Sequence, residues 1–204
     1  MGKVHVDITT SLDGFVAGPN DGLELPLGKN GELLHEWVYG LRAWREPHGL
    51  EGGETNQDSE ILEESLADRG AVIVGRRMYD NARGWGDEPP FHMPVFVLTH
   101  ETREPESKDG GTTFTFVTDG VQSAFEQARE AAGNKNILVA GGANTVQQFL
   151  QAGLVDEIQI HVAPLLLGGG VKLLDGLSAD DVKLESTRVV ESPAVTHLQY
   201  RVVK

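Results

Sequence analysis

The sequence predicts an α/β fold: one central, mostly parallel, eight-stranded twisted sheet, about four helices on its two faces, and an antiparallel hairpin at the C-terminal edge. Three observations predict it. Short β-branched runs such as Ala71-Val72-Ile73-Val74 and Ile137-Leu138-Val139-Ala140 suit strands covered on both faces. These runs alternate with stretches of helical periodicity through the middle of the chain. The last two alternating segments, 183–190 and 195–203, flank a Ser192-Pro193 turn.

The elements follow in order. Val4, Val6 and Ile8 alternate with His5, Asp7 and Thr9, a strand with one buried face. A Gly-rich loop, Ser11 to Gly22, follows it. Leu33, Leu34, Trp37, Val38, Leu41 and Trp44 recur at helical spacing over 31–46, and Pro47 stops that helix. An acidic helix over 58–67 turns Ile61, Leu62 and Leu66 inward. Further strands are expected at 71–74, 95–99, 114–117, 137–140 and 158–162, with helices at 120–132 and 146–151. No linker-like composition shift or internal repeat divides the chain, so residues 1–204 read as one domain.

Composition narrows the function. With 39% hydrophobic and 24% charged residues the chain can bury a sizeable core. It has no Cys, which removes disulfides, thiolate nucleophiles and thiolate zinc sites. The formal charge of −14 opposes non-specific nucleic-acid binding. No apolar run reaches membrane-spanning length, and the N-terminus enters a strand pattern instead of a signal peptide. The expectation is a soluble, cytoplasmic domain with no nucleic-acid or membrane partner. The seven His show no metal-ligand spacing, so no metal is expected.

In open α/β sheets ligands bind at the carboxyl ends of the parallel strands. Four such ends carry polar or glycine-rich sequence: Ser11 to Gly18, Gly75-Arg76-Arg77, Thr99-His100, and Gly141-Gly142-Ala143-Asn144-Thr145. The last of these is a strand-to-helix junction, where glycines admit close approach and free N–H groups favour a diphosphate, or where a tight turn simply needs glycine. Arg76 and Arg77 suit bidentate phosphate recognition, with Thr99 and His100 as further partners, or are two solvated arginines on a short helix. Asp13-Gly14 orients a substrate or is a routine turn. Glu32, His35 and Glu36 offer a proton relay or a heterocycle partner, or a solvated helix face. Trp37 and Trp44 fall on the buried stripe, which favours core packing, although one edge of either can wall a pocket. Gly168-Gly169-Gly170, after Pro164-Leu165-Leu166-Leu167, either approaches a substrate or reverses the chain. No nucleophile motif such as GxSxG is present, which disfavours a doubly wound hydrolase.

These segments together resemble a family. Ser11-Leu12-Asp13-Gly14-Phe15-Val16-Ala17-Gly18 is similar to SLDGxxAG, and Val74-Gly75-Arg76-Arg77-Met78-Tyr79 to GRxT[WF], with Met78 in place of the threonine. Val139 to Thr145 matches a glycine-pair helix start, and Ala163 to Gly170 a PxLLGGG segment. In order and over essentially the whole chain, they resemble the dihydrofolate reductase-like superfamily and its three-layer fold, in particular the C-terminal reductase domain of bacterial riboflavin biosynthesis enzymes.

The resemblance implies an NADPH-dependent oxidoreductase that reduces a small heterocyclic, aminopyrimidine or pterin-like substrate. Gly75, Arg76, Arg77, Thr99 and His100 would hold the adenosine 2′-phosphate end. Gly141, Gly142, Ala143, Asn144 and Thr145 would hold the diphosphate, and Val16 and Ala17 would lie along the nicotinamide. Asp13, Trp37, Pro164, Leu166 and Gly168 would border the substrate, with Asp13 or Glu36 as the catalytic acid. It also implies a homodimer. The alternative is a nucleotide-binding module of the same fold without turnover.

Overall fold

The computed structural model describes residues 2–204 and contains eleven strands. They are β1 (Val4–Ser11), β2 (Phe15–Ala17), β3 (Arg69–Gly75), β4 (Pro94–Leu98), β5 (Glu106–Ser107), β6 (Thr113–Val117), β7 (Asn136–Gly141), β8 (Glu157–Ala163), β9 (Val171–Lys172), β10 (Lys183–Glu191) and β11 (Thr196–Val203). Nine of them form one sheet in the order β10-β11-β8-β1-β7-β3-β4-β6-β5, and β2 pairs with β9 apart from it. The five central junctions, from β8 to β6, are parallel; β8 to β11, β11 to β10 and β6 to β5 are antiparallel. All eight expected strands are present, and the hairpin closes through Ser192, whose hydroxyl donates to the Val195 carbonyl at 2.8 Å. The main sheet has nine strands, not eight, because the two-residue β5 adds an edge too short to carry a periodicity.

Six α-helices accompany the sheet: α1 (Glu36–Tyr39), α2 (Arg42–Arg45), α3 (Gln57–Leu66), α4 (Arg76–Asn81), α5 (Val121–Ala132) and α6 (Ala143–Gln151). The single helix expected over 31–46 is in fact a 3-10 turn at Gly31–His35 followed by the short α1 and α2. Leu41 causes the break: its backbone is extended (φ −82°, ψ 139°), and it bridges to Glu54. Tertiary pairing with that segment overrides the local periodicity. At the other end of the chain, α6 starts three residues earlier than expected, directly after the glycine pair.

Alternation along the central strands fills both faces. In β3, Ala71 and Ile73 join a core with Val4, Val6, Ile137, Val139 and Phe149, whereas Val72 and Val74 join Val95, Val97, Leu138 and Phe114 on the opposite side. Helix α5 packs on β3 and β4, and α6 on β7 and β3. Burying a branched side chain of this kind contributes about 1.5–3 kcal/mol, so these central strands carry most of the apolar stabilisation.

The polar side of β1 departs from expectation. Asp7 and Thr9 do not face solvent: Asp7 belongs to a buried polar chain and Thr9 accepts from Trp37 beside it, while the Nε2 of His5 is buried with no hydrogen-bond partner. His161 of β8 and His197 of β11 are register partners, and their Nδ1 atoms lie 2.6 Å apart. The Nε2 of His161 is 2.7 Å from Asp7 Oδ1, and the Nε2 of His197 is 2.7 Å from Asp58 Oδ1 of α3. Arg69 of β3 donates to the other Asp7 oxygen at 3.2 Å. Trp37 of α1 covers both imidazoles, with ring centroids 4.8 and 5.5 Å away. Three hydrogen bonds in series require three protons, wherever each one resides. The two carboxylates and two imidazoles then carry one net negative charge, which Arg69 neutralises. A buried polar network stabilises a fold only when every member is satisfied in this way.

Asp58→Ala leaves His197 without its acceptor and is expected to cost about 3–5 kcal/mol in urea unfolding, as for breaking a buried pair. Acid sensitivity has two parts. Burial, reinforced by the Arg69 charge, holds the His5 imidazole down at about 4, below its ordinary 6.5. The unfolded chain therefore binds the extra proton first, and stability falls as pH drops from 6.5 to about 4. Burial pushes the Asp7 carboxyl up, but His161 and Arg69 overcome it and hold the group at about 2, so a second loss runs from pH 3.8 to about 2. Burial also holds the His35 and His197 imidazoles down, and both add to the upper loss, so in His5→Gln the upper part of the urea-midpoint profile is expected to become shallower while the lower part persists.

Candidate active site

The C-terminal ends of β1, β7, β3 and β4 open side by side into a cleft of about 820 Å³. Thr9 lines it from β1, Ala140 from β7, Gly75 from β3, and Leu98 from β4. Three inter-strand spacings separate β1 from β4, roughly 14 Å, so the groove accommodates an extended ligand.

At its middle, the turn from β7 into α6 exposes backbone. Gly141 has φ 127°, a conformation that favours glycine, and a Cβ on Gly142 would meet nothing within 4 Å. No side chain caps α6, and Gly142, Ala143, Asn144 and Thr145 all line the cleft. An uncapped helix start of this kind carries unsatisfied N–H groups and a partial positive charge. Gly75 has a different role. A Cβ there would stand 2.4 Å from Thr145 Oγ1, so glycine lets β3 and α6 approach each other.

Beside this turn, the first turn of α4 supplies two guanidinium groups. Arg76 donates to Asp80 at 2.6 Å and Glu101 at 2.9 Å, with Thr99 Oγ1 at 3.5 Å. Arg77 donates to Asp21 Oδ1 at 2.6 Å and otherwise stands exposed. Each therefore rests against carboxylates while retaining N–H groups for a further acceptor.

The segment 31–48 forms another wall. Tyr39 donates to Glu32 at 3.2 Å and meets Trp44 edge-on at 5.0 Å, and Trp44 stacks on His48 at 3.9 Å. Burial and the Glu32 charge push the Tyr39 phenol up to about 12, so it remains a donor. Burial pushes the His35 imidazole down, which keeps it neutral near pH 7. The hydroxyl of Thr9 accepts from the Trp37 indole at 3.1 Å, so its own proton is available to another partner.

The structure brings Val16, Ala17, Gly75, Arg76, Arg77, Thr99, His100, Gly142, Ala143, Asn144 and Thr145 together around one cleft. Gly141 lies buried beneath the turn. Asp13, Glu36, Trp37, Pro164, Leu166 and Gly168 do not line it. Glu36 is exposed, Trp37 packs on the histidine pair, and Leu166 is 70% exposed. The carboxylate of Asp13 accepts from the Leu167 and Gly168 amides at 3.1 and 2.8 Å, clamping that loop. Ser11 and these amides hold it below the usual carboxylate range, against the smaller opposing effect of burial. Of the acidic and histidine candidates on 31–46, Glu32 and His35 reach the cleft. Sequence reasoning missed Asp21, Tyr39, His48, Trp85 and Glu101, and placed Trp44 on the buried stripe. Among the described residues no cluster of three or more His, Asp or Glu is arranged to hold a metal, and no helix is long and apolar enough to cross a membrane.

A mostly parallel sheet of this strand order, with an antiparallel pair at its C-terminal edge, is a dihydrofolate reductase-like fold. The chain belongs to the RibD C-terminal domain family, which matches residues 2–198. It is similar in structure to a protein from Shewanella sp. PV-4 provisionally assigned to riboflavin biosynthesis, at TM-score 0.68 and 22% identity over 99% of each chain. It also resembles a Thermotoga maritima diaminohydroxyphosphoribosylaminopyrimidine deaminase/5-amino-6-(5-phosphoribosylamino)uracil reductase, at TM-score 0.61 and 15% identity over 99% of this chain and 57% of that one. A dihydrofolate reductase from Enterococcus faecalis, complexed with NADP(H) and RAB-propyl, matches at TM-score 0.57 and 12% identity over 100% of this chain and 98% of the other. These structural likenesses, all of low identity, establish the fold.

Gly75→Ala is expected to lower stability by about 1–3 kcal/mol, the range for overpacking, because β3 and α6 must separate. Chemical denaturation checks it, and adding Thr145→Ala should recover most of the loss.

Proposed function

We propose that the protein is an NADPH-dependent reductase acting on a small heterocycle. The observation that carries this reading is the meeting, in one cleft, of an uncapped helix start and an adjacent arginine pair. The first suits a diphosphate, the second a phosphate monoester. Family membership and the NADP(H) complex of the similar Enterococcus faecalis enzyme support it.

In this reading Arg76, Arg77, Thr99 and His100 hold the 2′-phosphate, and Gly142 to Thr145 hold the diphosphate. Val16 and Ala17 bound the nicotinamide, close to Thr9 of β1. The bound cofactor supplies the hydride. The protein's part is to align the ring with an electrophilic carbon and to keep water away. Val16, Ala17 and Met78 give that region apolar walls. Asp13 holds the loop at Leu167 and Gly168 in place. Because Asp13 and Glu36 stand off the wall, the proton that completes reduction comes from solvent. Two copies of the chain are proposed to pair along β10, an edge strand exposed over almost its whole length.

Calorimetry is expected to show NADPH binding more tightly than NADH. In the Arg76→Ala/Arg77→Ala variant NADPH affinity should fall about 10–100-fold, with the preference abolished, since hydrogen bonds to charged groups contribute about 1.5–3 kcal/mol. Unchanged affinity and selectivity overturn the assignment. Loss of 340 nm absorbance with a pterin or pyrimidine separates a reductase from a binding module without turnover. Light scattering should give twice the 22.1 kDa chain mass; a monomer refutes the pairing.

A further inference from the structure

The arginine pair of the cleft already has anionic partners. Arg76 pairs with Asp80 at 2.6 Å and with Glu101 at 2.9 Å, and Arg77 pairs with Asp21 at 2.6 Å. Two guanidinium groups therefore meet three carboxylates, which leaves one negative charge over in these ion pairs. A phosphate monoester brings about −1.5 to −2 more at pH 7. Its affinity depends on which carboxylate it must lie beside.

The three carboxylates are not equivalent. Asp21 is built into its loop: Arg77 also donates to its carbonyl at 3.1 Å, Asn81 donates to its second carboxylate oxygen at 3.4 Å, and its side chain is 11% exposed. Asp80 lies one turn along α4 from Arg76 and accepts from Nε, the inner end of the guanidinium. Glu101 arrives from the segment after β4. Its side chain is 69% exposed, and among the described residues Arg76 is the one hydrogen-bond partner of its carboxylate. Oε2 rests on Nη1, the nitrogen that also faces Thr99 Oγ1 at 3.5 Å. The Glu101 backbone N–H donates to that same hydroxyl oxygen at 3.1 Å, so Thr99 keeps its proton for an incoming acceptor. A negative charge thus stands where two donors suited to a phosphate converge.

Resting on the placement of the 2′-phosphate above, we propose that Glu101 is a specificity-determining residue of the cofactor site: its carboxylate opposes the 2′-phosphate and holds the preference for NADPH over NADH below what the arginine pair alone would give. The phosphate takes the remaining N–H groups of Arg76 and Arg77 and the Thr99 proton, with the Glu101 charge next to it. NADH carries a neutral hydroxyl at that position and does not feel the same repulsion.

Glu101→Gln tests this, because it removes the charge and keeps an acceptor for Arg76 Nη1. Titration calorimetry on the full chain compares NADPH and NADH at low and high salt. At low salt the variant is expected to bind NADPH about threefold or more tightly than the wild type, the size of one exposed charge pair, with NADH affinity unchanged. High salt should shrink the gain, since an exposed carboxylate is screened. A carboxylate that only orients Arg76 predicts no gain or a loss. Unchanged or weaker NADPH binding in Glu101→Gln overturns the proposal, as does an equal gain for NADH. If the wild type does not bind NADPH, or binds it equally well in Arg76→Ala/Arg77→Ala, the cofactor placement fails and this proposal falls with it. Arginine-dependent NADPH binding without a Glu101 effect sinks the proposal alone, so the two failures are told apart.

Discussion

The fold depends on a charge-balanced polar chain sealed into one half of its interior. Asp7, His161, His197 and Asp58 come from β1, β8, β11 and α3, and Arg69 adds β3. Apolar packing is tolerant of small shifts in register, whereas a series of hydrogen bonds near 2.7 Å is not. A one-residue slip of β11 would turn His197 to the other side of the sheet and leave Asp58 and the Nδ1 of His161 without their partner. The chain therefore specifies where the C-terminal hairpin adds to the parallel sheet. It also fixes Trp37, and through the indole N–H the hydroxyl of Thr9 on the cleft floor. Stability and site geometry are joined at that indole.

The cleft follows from the topology in a simpler way. Parallel strands place their carboxyl ends on one side, and each is followed by a segment free to vary. The β7 end gives bare backbone, the β3 end gives guanidinium groups, and the β4 end gives Thr99, His100 and Glu101. Glycine permits this crowding at two points for different reasons. At Gly141 the backbone dihedral requires it, and at Gly75 the side chain of Thr145 occupies the space a Cβ would need.

Much of this was legible in the sequence. The β-branched runs at 71–74 and 137–140 and the terminal hairpin gave the sheet, because buried parallel strands leave a composition that few other structures share. The residues after three strand ends gave one long flank of the cleft. The rest was illegible for identifiable reasons. His161 and His197 are 36 residues apart, and their pairing exists only in the sheet register. The His5/Asp7/Thr9 alternation has the pattern of a wet strand face, and only the partners brought by β8, β11 and α3 keep it dry. The wall from 31 to 48 was misjudged because Leu41 interrupts the helix. Beyond the break, periodicity no longer reports which side of the segment is buried, so Trp44 was assigned to the buried stripe and His48 escaped notice.

The carboxylates of Asp80, Glu101 and Asp21 keep the two guanidinium groups oriented before any ligand arrives. In the proposed reading an incoming anion takes up the remaining N–H groups and spends little on ordering the arginine side chains. Its approach is a separate matter. The molecule carries a formal charge of −14, so the long-range field repels the anion until it reaches the last few ångströms. Moderate salt screens that repulsion and quickens encounter, even as it loosens the grip once contact is made. Speed of capture and strength of retention consequently respond to ionic strength in opposite directions.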